Sequence, residues 1–271
     1  MDIFFYIIIF LIGILFGSFY TLAVYRIPKG QDITHTHSYC PKCEHKLGFW
    51  DLIPVFSYIF LGGKCRYCKE KIRPRYFILE IISGIFFVIV AYLMNLSIET
   101  INVTAIIEYI FIVLYFTFII LMAGIDKENR KINKSVTMYG VIISIIYIVY
   151  LCIIDITSIY RYGIYLILYI IVLLLDTITL KRKAINRYVY SIILTLITMA
   201  IFTGEYVTFT SMVIFLLSIA IFELIKKIKQ LKNKSIKTEE KQNQELSIGY
   251  YLAIPNILYF IYILAYYKFL L

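Results

Sequence analysis

Residues 77–125 read FILEIISGIFFVIVAYLMNLSIETINVTAIIEYIFIVLYFTFIILMAGI, forty-nine positions without a lysine or an arginine. A helix needs about 20 consecutive apolar residues to cross the hydrocarbon core of a bilayer. The run is too long for one crossing and suits two. The polar patch at 95–104 is the natural place to divide it.

The rest of the chain has the same character. Of 271 residues, 61% are hydrophobic and 16% charged, with a mean hydropathy of +0.84. Soluble domains carry about 25% charged residues, so this chain has too little polar surface to be solvated all round. Its 26 tyrosines and 20 phenylalanines suit rings that sit at the headgroup level. Eight segments approach spanning length: 3–24, 77–94, 104–124, 136–154, 159–180, 188–203, 206–225 and 247–267. The first is too long for a signal-peptide core and has no basic region before it. The 188–225 stretch divides at Gly204-Glu205. No strand-like alternation and no internal repeat is visible. The expected fold is an all-α polytopic membrane protein of about eight transmembrane helices.

The positive charge tests that count. Loop 25–76 holds ten Lys/Arg, loop 125–135 four, loop 181–187 four and loop 226–246 seven, together 25 of the 27 in the chain. Only Arg161 and Lys268 fall elsewhere. These are every second loop of an eight-helix chain. The positive-inside rule puts them in the cytoplasm and both termini outside, in a multi-pass membrane protein. The net charge of +10 therefore calls for no nucleic-acid partner; the bilayer accounts for it. Segment 226–246, rich in Lys, Glu, Gln and Asn, is expected to be a solvated or poorly ordered loop.

Loop 25–76 is the one sizeable piece expected outside the membrane. It contains Cys40-Pro-Lys-Cys43 and Cys65-Arg-Tyr-Cys68, with 21 residues between the pairs. Two Cys-x-x-Cys knuckles at this separation form a zinc-ribbon-like signature, and four thiolates close a tetrahedral site around Zn²⁺. A loop this small needs such a staple. Two disulfides are the competing reading, disfavoured in a reducing cytoplasm; four free thiols are the other. His35 and His37 precede the first knuckle and are alternative ligands, though four cysteines already suffice. Cys152 lies within a helix and reads as a plain apolar residue.

Acids at membrane depth are costly, so each is a candidate for function. Asp126 lies at the inner end of the third helix, beside Lys127, where the bland alternative is a solvated interfacial charge. Asp176, about one turn before loop 181–187, Glu80 at the start of the second helix and Glu223 near the end of the seventh are the others. Each is more often a snorkelling or Lys-paired acid than a catalyst.

At this point the residues resemble a family, the type IV prepilin peptidases or leader peptidase/N-methyltransferases, polytopic aspartic proteases of the bacterial inner membrane. The likeness starts at Gly17-Ser-Phe19 and Tyr25-Arg26-Ile-Pro28. It runs through both knuckles, Trp50-Asp51-Leu-Ile-Pro54 between them, and Arg73-Pro-Arg-Tyr76 with Glu80. Asp126 looks like the family's first catalytic aspartate. Leu246-Ser-Ile-Gly249 stands where the family has Ile-Pro-Phe-Gly. The N-terminal half matches in several motifs in order, the C-terminal half in helix pattern only.

One departure is serious. The family's second catalytic aspartate belongs to a Gly-x-Gly-Asp motif about sixty residues after the first. Here that place reads Ala184-Ile-Asn-Arg-Tyr188-Val-Tyr190, with no glycine and no acid, and Tyr188 falls in the aspartate slot. An aspartic protease shares one proton between two carboxylates, one activating water and the other assisting the carbonyl. A tyrosine, with a pKa of about 10, donates a hydrogen bond but is a poor base at neutral pH.

The resemblance implies three parts: a first transmembrane helix at 1–24, a cytoplasmic four-Cys loop domain at 25–76, and a seven-helix membrane peptidase-like domain at 77–271. It implies an aspartic-type endopeptidase that removes the basic leader of type IV pilin-like precursors, with prepilin or pseudopilin leader segments as partners. Asp126 would be catalytic, and Cys40, Cys43, Cys65 and Cys68 would hold a structural zinc. N-methylation from S-adenosylmethionine is implied by the family alone, since no motif for that cofactor is visible. The alternative is a degenerate, non-catalytic relative that binds pilin-like substrates or assists assembly of a pilus or secretion system. A transporter is disfavoured, because Asp176 is nearly alone at mid-bilayer depth.

Overall fold

The computed structural model describes residues 2–99, 102–155, 159–182, 187–232 and 247–270. Among them the chain is helical nearly throughout and contains no strand. The helices are α1 (Asp2–Arg26), the short α2 (Phe56–Phe60), α3 (Pro74–Leu93), α4 (Val103–Asn129), α5 (Lys134–Ile154), α6 (Ile159–Arg182), α7 (Arg187–Thr203), α8 (Glu205–Lys232) and α9 (Ile248–Leu270). Six of these, α1, α3, α4, α5, α6 and α9, are long and apolar enough to cross a membrane by length and composition. Two shorter apolar stretches, Val189–Thr203 and Glu205–Ile221, complete the eight expected segments.

The helix boundaries follow local chemistry. Pro74 opens α3 after the extended Arg73, where its missing N–H costs nothing. Asn102 and Asn133 cap α4 and α5, accepting from the backbone N–H of Ala105 (2.7 Å) and Ser135 (2.8 Å). Asn95 (φ 55°) follows α3, and Gly204 (φ 84°) turns α7 into α8, at the two division points expected from the sequence. The start of segment 226–246 differs from expectation. Helix α8 continues through 226–232, because Leu, Lys and Gln are good helix formers and nothing there breaks the periodicity. Residues 233–246 lie outside the described residues.

The chain divides into two compact units, residues 1–113 with 264–271, and residues 114–263. In the first, α1 and α3 run antiparallel with their backbones touching. A Cβ on Gly13 would stand 2.7 Å from the Gly84 Cα, and one on Gly17 would stand 2.6 Å from the Glu80 Cα. Small residues permit such approach where lipid supplies no hydrophobic drive between helices. Phe87 packs there against Phe16, ring centroids 5.4 Å apart, and Tyr20, Ala23, Val90 and Ala91 of the two helices are buried. At its other end, Tyr6 donates to the Leu96 carbonyl (2.9 Å).

In the second unit, Val141, Ile148, Tyr169, Val172, Tyr190, Leu194, Ile197 and Ile201 form a buried apolar core. Hydroxyls inside it are paired: Tyr169 Oη lies 3.1 Å from Ser144 Oγ and 2.9 Å from Thr198 Oγ1. Tyr115 donates to Asn256 Oδ1 (2.6 Å), and Asn256 donates to Thr203 Oγ1 (3.3 Å). A polar group left unpaired in hydrocarbon costs several kcal/mol, so these pairs fix which helices meet. Cys152 packs against this core, as an apolar residue would.

Candidate functional site

Two places gather the residues singled out by the sequence, one in each unit. The first is the four-Cys loop. Cys40 N–H donates to the His45 carbonyl and Glu44 N–H to the Cys40 carbonyl; Cys65 N–H donates to Glu70 and Lys69 N–H to Cys65. Isolated antiparallel bridges, Tyr39 with Lys46 and Lys64 with Lys71, close the two turns. Each turn needs one left-handed residue after its second cysteine, Glu44 (φ 58°) and Lys69 (φ 60°).

The two turns face each other, and their four sulfurs all lie within 4.8 Å of one another. Cys40 Sγ and Cys68 Sγ are 3.8 Å apart. A tetrahedron with Zn–S bonds of about 2.3 Å has edges of about 3.8 Å, so this pair already has the spacing of a metal site. No disulfide joins the cysteines, which are all free. Burial pushes the Cys40 thiol up, but the N–H groups of Cys43 and Lys42 outweigh it and bring it down to about 7. The Glu70 N–H favours a Cys68 thiolate, yet burial and the three crowding sulfurs raise Cys68 to about 12. Four thiolates at this spacing repel one another, and a divalent cation among them removes the repulsion. The donor set thus fits zinc. His35 binds Asp32 instead (3.1 Å), and neither it nor His37 belongs to the sulfur cluster.

The loop is tied down around this cluster. Asp51 accepts from Arg66 Nε (2.6 Å), Tyr67 Oη (3.2 Å) and Gly48 N–H (3.1 Å). Burial pushes its carboxyl up, but the Arg66 guanidinium and the other donors hold it below the usual range. Arg26, buried at the end of α1, donates to the carbonyls of Asp32, Thr36 and His37. The Tyr-Arg-Ile-Pro stretch was visible in the sequence, but this clamp was not. Glu80 is also held by the loop, accepting the Val55 N–H (2.7 Å). A cavity of about 270 Å³ lies between α1, α3 and the loop, bordered by Ser18, Tyr25, Arg26, Tyr58, Tyr76 and Glu80.

The second place is Asp126. It is fully buried (0% exposed), not the solvated interfacial charge that its lysine neighbour suggested. Its carboxylate meets the first turn of α9, with Tyr250 N–H donating to Oδ2 (3.3 Å). Unpaired N–H groups and the helix dipole favour an anion there. Gly249 makes the approach feasible, since a Cβ on it would overlap Met122 Sδ and stand 3.3 Å from Asp126 Oδ2. Two further contacts lock the pair of helix ends: Lys127 Nζ to Tyr250 Oη (3.0 Å) and Arg130 Nη1 to Ser247 Oγ (3.2 Å). Ser247 and Gly249 belong to the Leu246-Ser-Ile-Gly249 motif singled out in the sequence; Tyr250 was missed. Asp176 is half-buried on α6. Residues 184–186 and the side chains of Tyr188 and Glu223 lie outside the described residues.

Residues 11–94 match the model of the bacterial peptidase A24 N-terminal domain. That stretch spans most of α1, both knuckles and α3. The prepilin leader peptidase/N-methyltransferase of Klebsiella pneumoniae is 27% identical over 136 residues, 48% of this chain and 56% of that protein. The Vibrio cholerae protein of the same name is 40% identical over 85 residues, 28% and 34%; that of Bacillus subtilis is 33% identical over 106 residues, 39% and 43%. The chain thus spans about half or less of the length of these curated relatives. No solved structure matches.

Proposed function

We propose that this chain, whose residues 11–94 match the bacterial peptidase A24 N-terminal domain and resemble prepilin leader peptidase/N-methyltransferases, is a membrane aspartic endopeptidase. Its substrates would be type IV prepilin-like precursors, cut between a short basic leader and the apolar start of the pilin helix. The observation that carries this reading is the buried Asp126 at the end of α4, held by the first turn of α9. A carboxylate kept from bulk water and oriented by backbone dipoles is equipped to hold or take a proton at Oδ2. Asp176, Glu223 and Glu80 are the candidates for the second acid.

The parts fall into a first helix at 1–24, a cytoplasmic loop domain at 25–76 and a membrane domain at 77–271. Cys40, Cys43, Cys65 and Cys68 would hold one structural zinc that closes the loop. Methylation of the new terminus from S-adenosylmethionine follows from the family alone. The chain would lie in the bacterial cytoplasmic membrane with both termini outside. The second reading is a relative that binds pilin-like segments without cutting them. One observation favours it: stretch 184–190 has neither glycine nor acid.

One experiment separates the two. The chain is co-expressed with a prepilin in cells lacking other processing enzymes, and leader removal is followed by mass. We expect cleavage by the wild type and its loss in Asp126→Asn. Cleavage that survives in the variant would remove Asp126 from the mechanism. A folded, inserted wild type that does not cut would leave the binding role.

A further inference from the structure

We propose that part of loop 25–76, residues 49–60, rests in the headgroup layer of the bilayer, with Trp50 as its anchor. The loop carries the most exposed aromatic side chains of the first unit outside its long helices: Phe49 (76%), Trp50 (72%) and Phe60 (84%), with Leu52, Phe56 and Ile59 also exposed. Phe49 and Trp50 meet edge to face, centroids 5.8 Å apart. They are not on a loose tip. Asp51, next in the chain, is gripped by Arg66 and Tyr67 of the second knuckle.

The position of this segment along α3 says what covers it. The Val55 N–H reaches Glu80, and Tyr58 stacks on Phe77, centroids 4.9 Å apart. Glu80 is six residues past Pro74, about 9 Å along the helix at 1.5 Å per residue. Segment 55–58 is therefore level with the first two turns of a membrane span, below the point where a fully solvated loop would lie. Ile78 and Ile82, at the same level of α3, are exposed and apolar, as residues of a lipid-facing wall would be. Trp rings settle at the headgroup level, and Phe and Leu beside them bury at the headgroup/acyl boundary. The loop's ten basic residues against four acidic ones complement anionic headgroups. This inference depends on the spans alone and stands apart from the peptidase reading.

Trp50 is the sole tryptophan of the chain, so the intact protein carries its own probe. The full chain is reconstituted in phosphatidylcholine/phosphatidylglycerol vesicles and excited at the red edge, where tyrosine does not absorb. We expect blue-shifted emission and little quenching by aqueous iodide. Lipids brominated near the glycerol end of the acyl chain should remove most of the intensity, and lipids brominated near the methyl end should remove less. Efficient quenching by iodide with none by brominated lipid would place Trp50 in water and overturn the proposal. Protection from both quenchers would put a second copy or another protein on the patch, and would overturn it as well.

Discussion

At the scale of single residues, burial separates acids that look alike in sequence. Asp126 sits beside Lys127, and nothing local distinguishes an oriented carboxylate from a solvated one. Asp126 is buried by α9, whose first turn lies more than a hundred residues further along the chain. No periodicity or cap around Asp126 announces that partner. Asp51 yields a signed expectation. Its folded pKa lies below the ordinary value of about 3.9, so its pairing stabilises the loop above that value and is lost as pH falls through the lowered one. Asp51→Asn should leave the loop more susceptible to protease near neutral pH. The gap from wild type should close as the medium is made more acid than the ordinary carboxylate range, read by limited proteolysis at a series of pH values with an acid-tolerant protease. A gap that widens toward acid would contradict the assignment.

At the scale of elements, the seam between α1 and α3 and the metal turns make separate demands. Gly13 and Gly17 stand four residues apart on one face, a small-residue spacing visible in the sequence, yet the partner helix was not. Gly17→Leu has backbone, not a flexible side-chain tip, in its way. It should cost about 2 kcal/mol or more, seen as a lower unfolding temperature in detergent, whereas Gly163→Ala, in open space, should shift it little. The knuckles were legible because Cys-x-x-Cys pairs have fixed ligand geometry. Purified wild type should carry about one zinc per chain by elemental analysis. Cys65→Ser should lose it and expose the loop to protease, while Cys152→Ser should keep it. The extension of α8 to 232 was missed because a charged composition was taken to end a helix, whereas long charged side chains continue one readily.

At the scale of the whole molecule, the spans were the most legible feature, because lipid rejects unpaired backbone and so requires long apolar helices. Six long helices and two shorter apolar ones match the eight expected segments in order. The division of the chain into two units was not foreseen: the boundaries fall within α4 and α9, where continuous hydropathy gives no sign. Charge alternation makes an orientation testable. Alkaline phosphatase fused after residue 270 should be active, and the same reporter inserted in loop 226–246 should be silent. The reverse pattern would invert the topology.

The two cysteine turns repeat one another, with the same backbone hydrogen bonds at the same offsets and a left-handed residue at the same place. A clip made of two turns of one geometry has halves that are interchangeable in design. Transposing peptides 39–46 and 64–71 would leave four sulfur donors in the same frame. The handle that Arg66 and Tyr67 offer to Asp51 would be displaced. Holding an ion would thus be the work of the repeated part of the clip, and aiming the loop that of the part that differs between the copies.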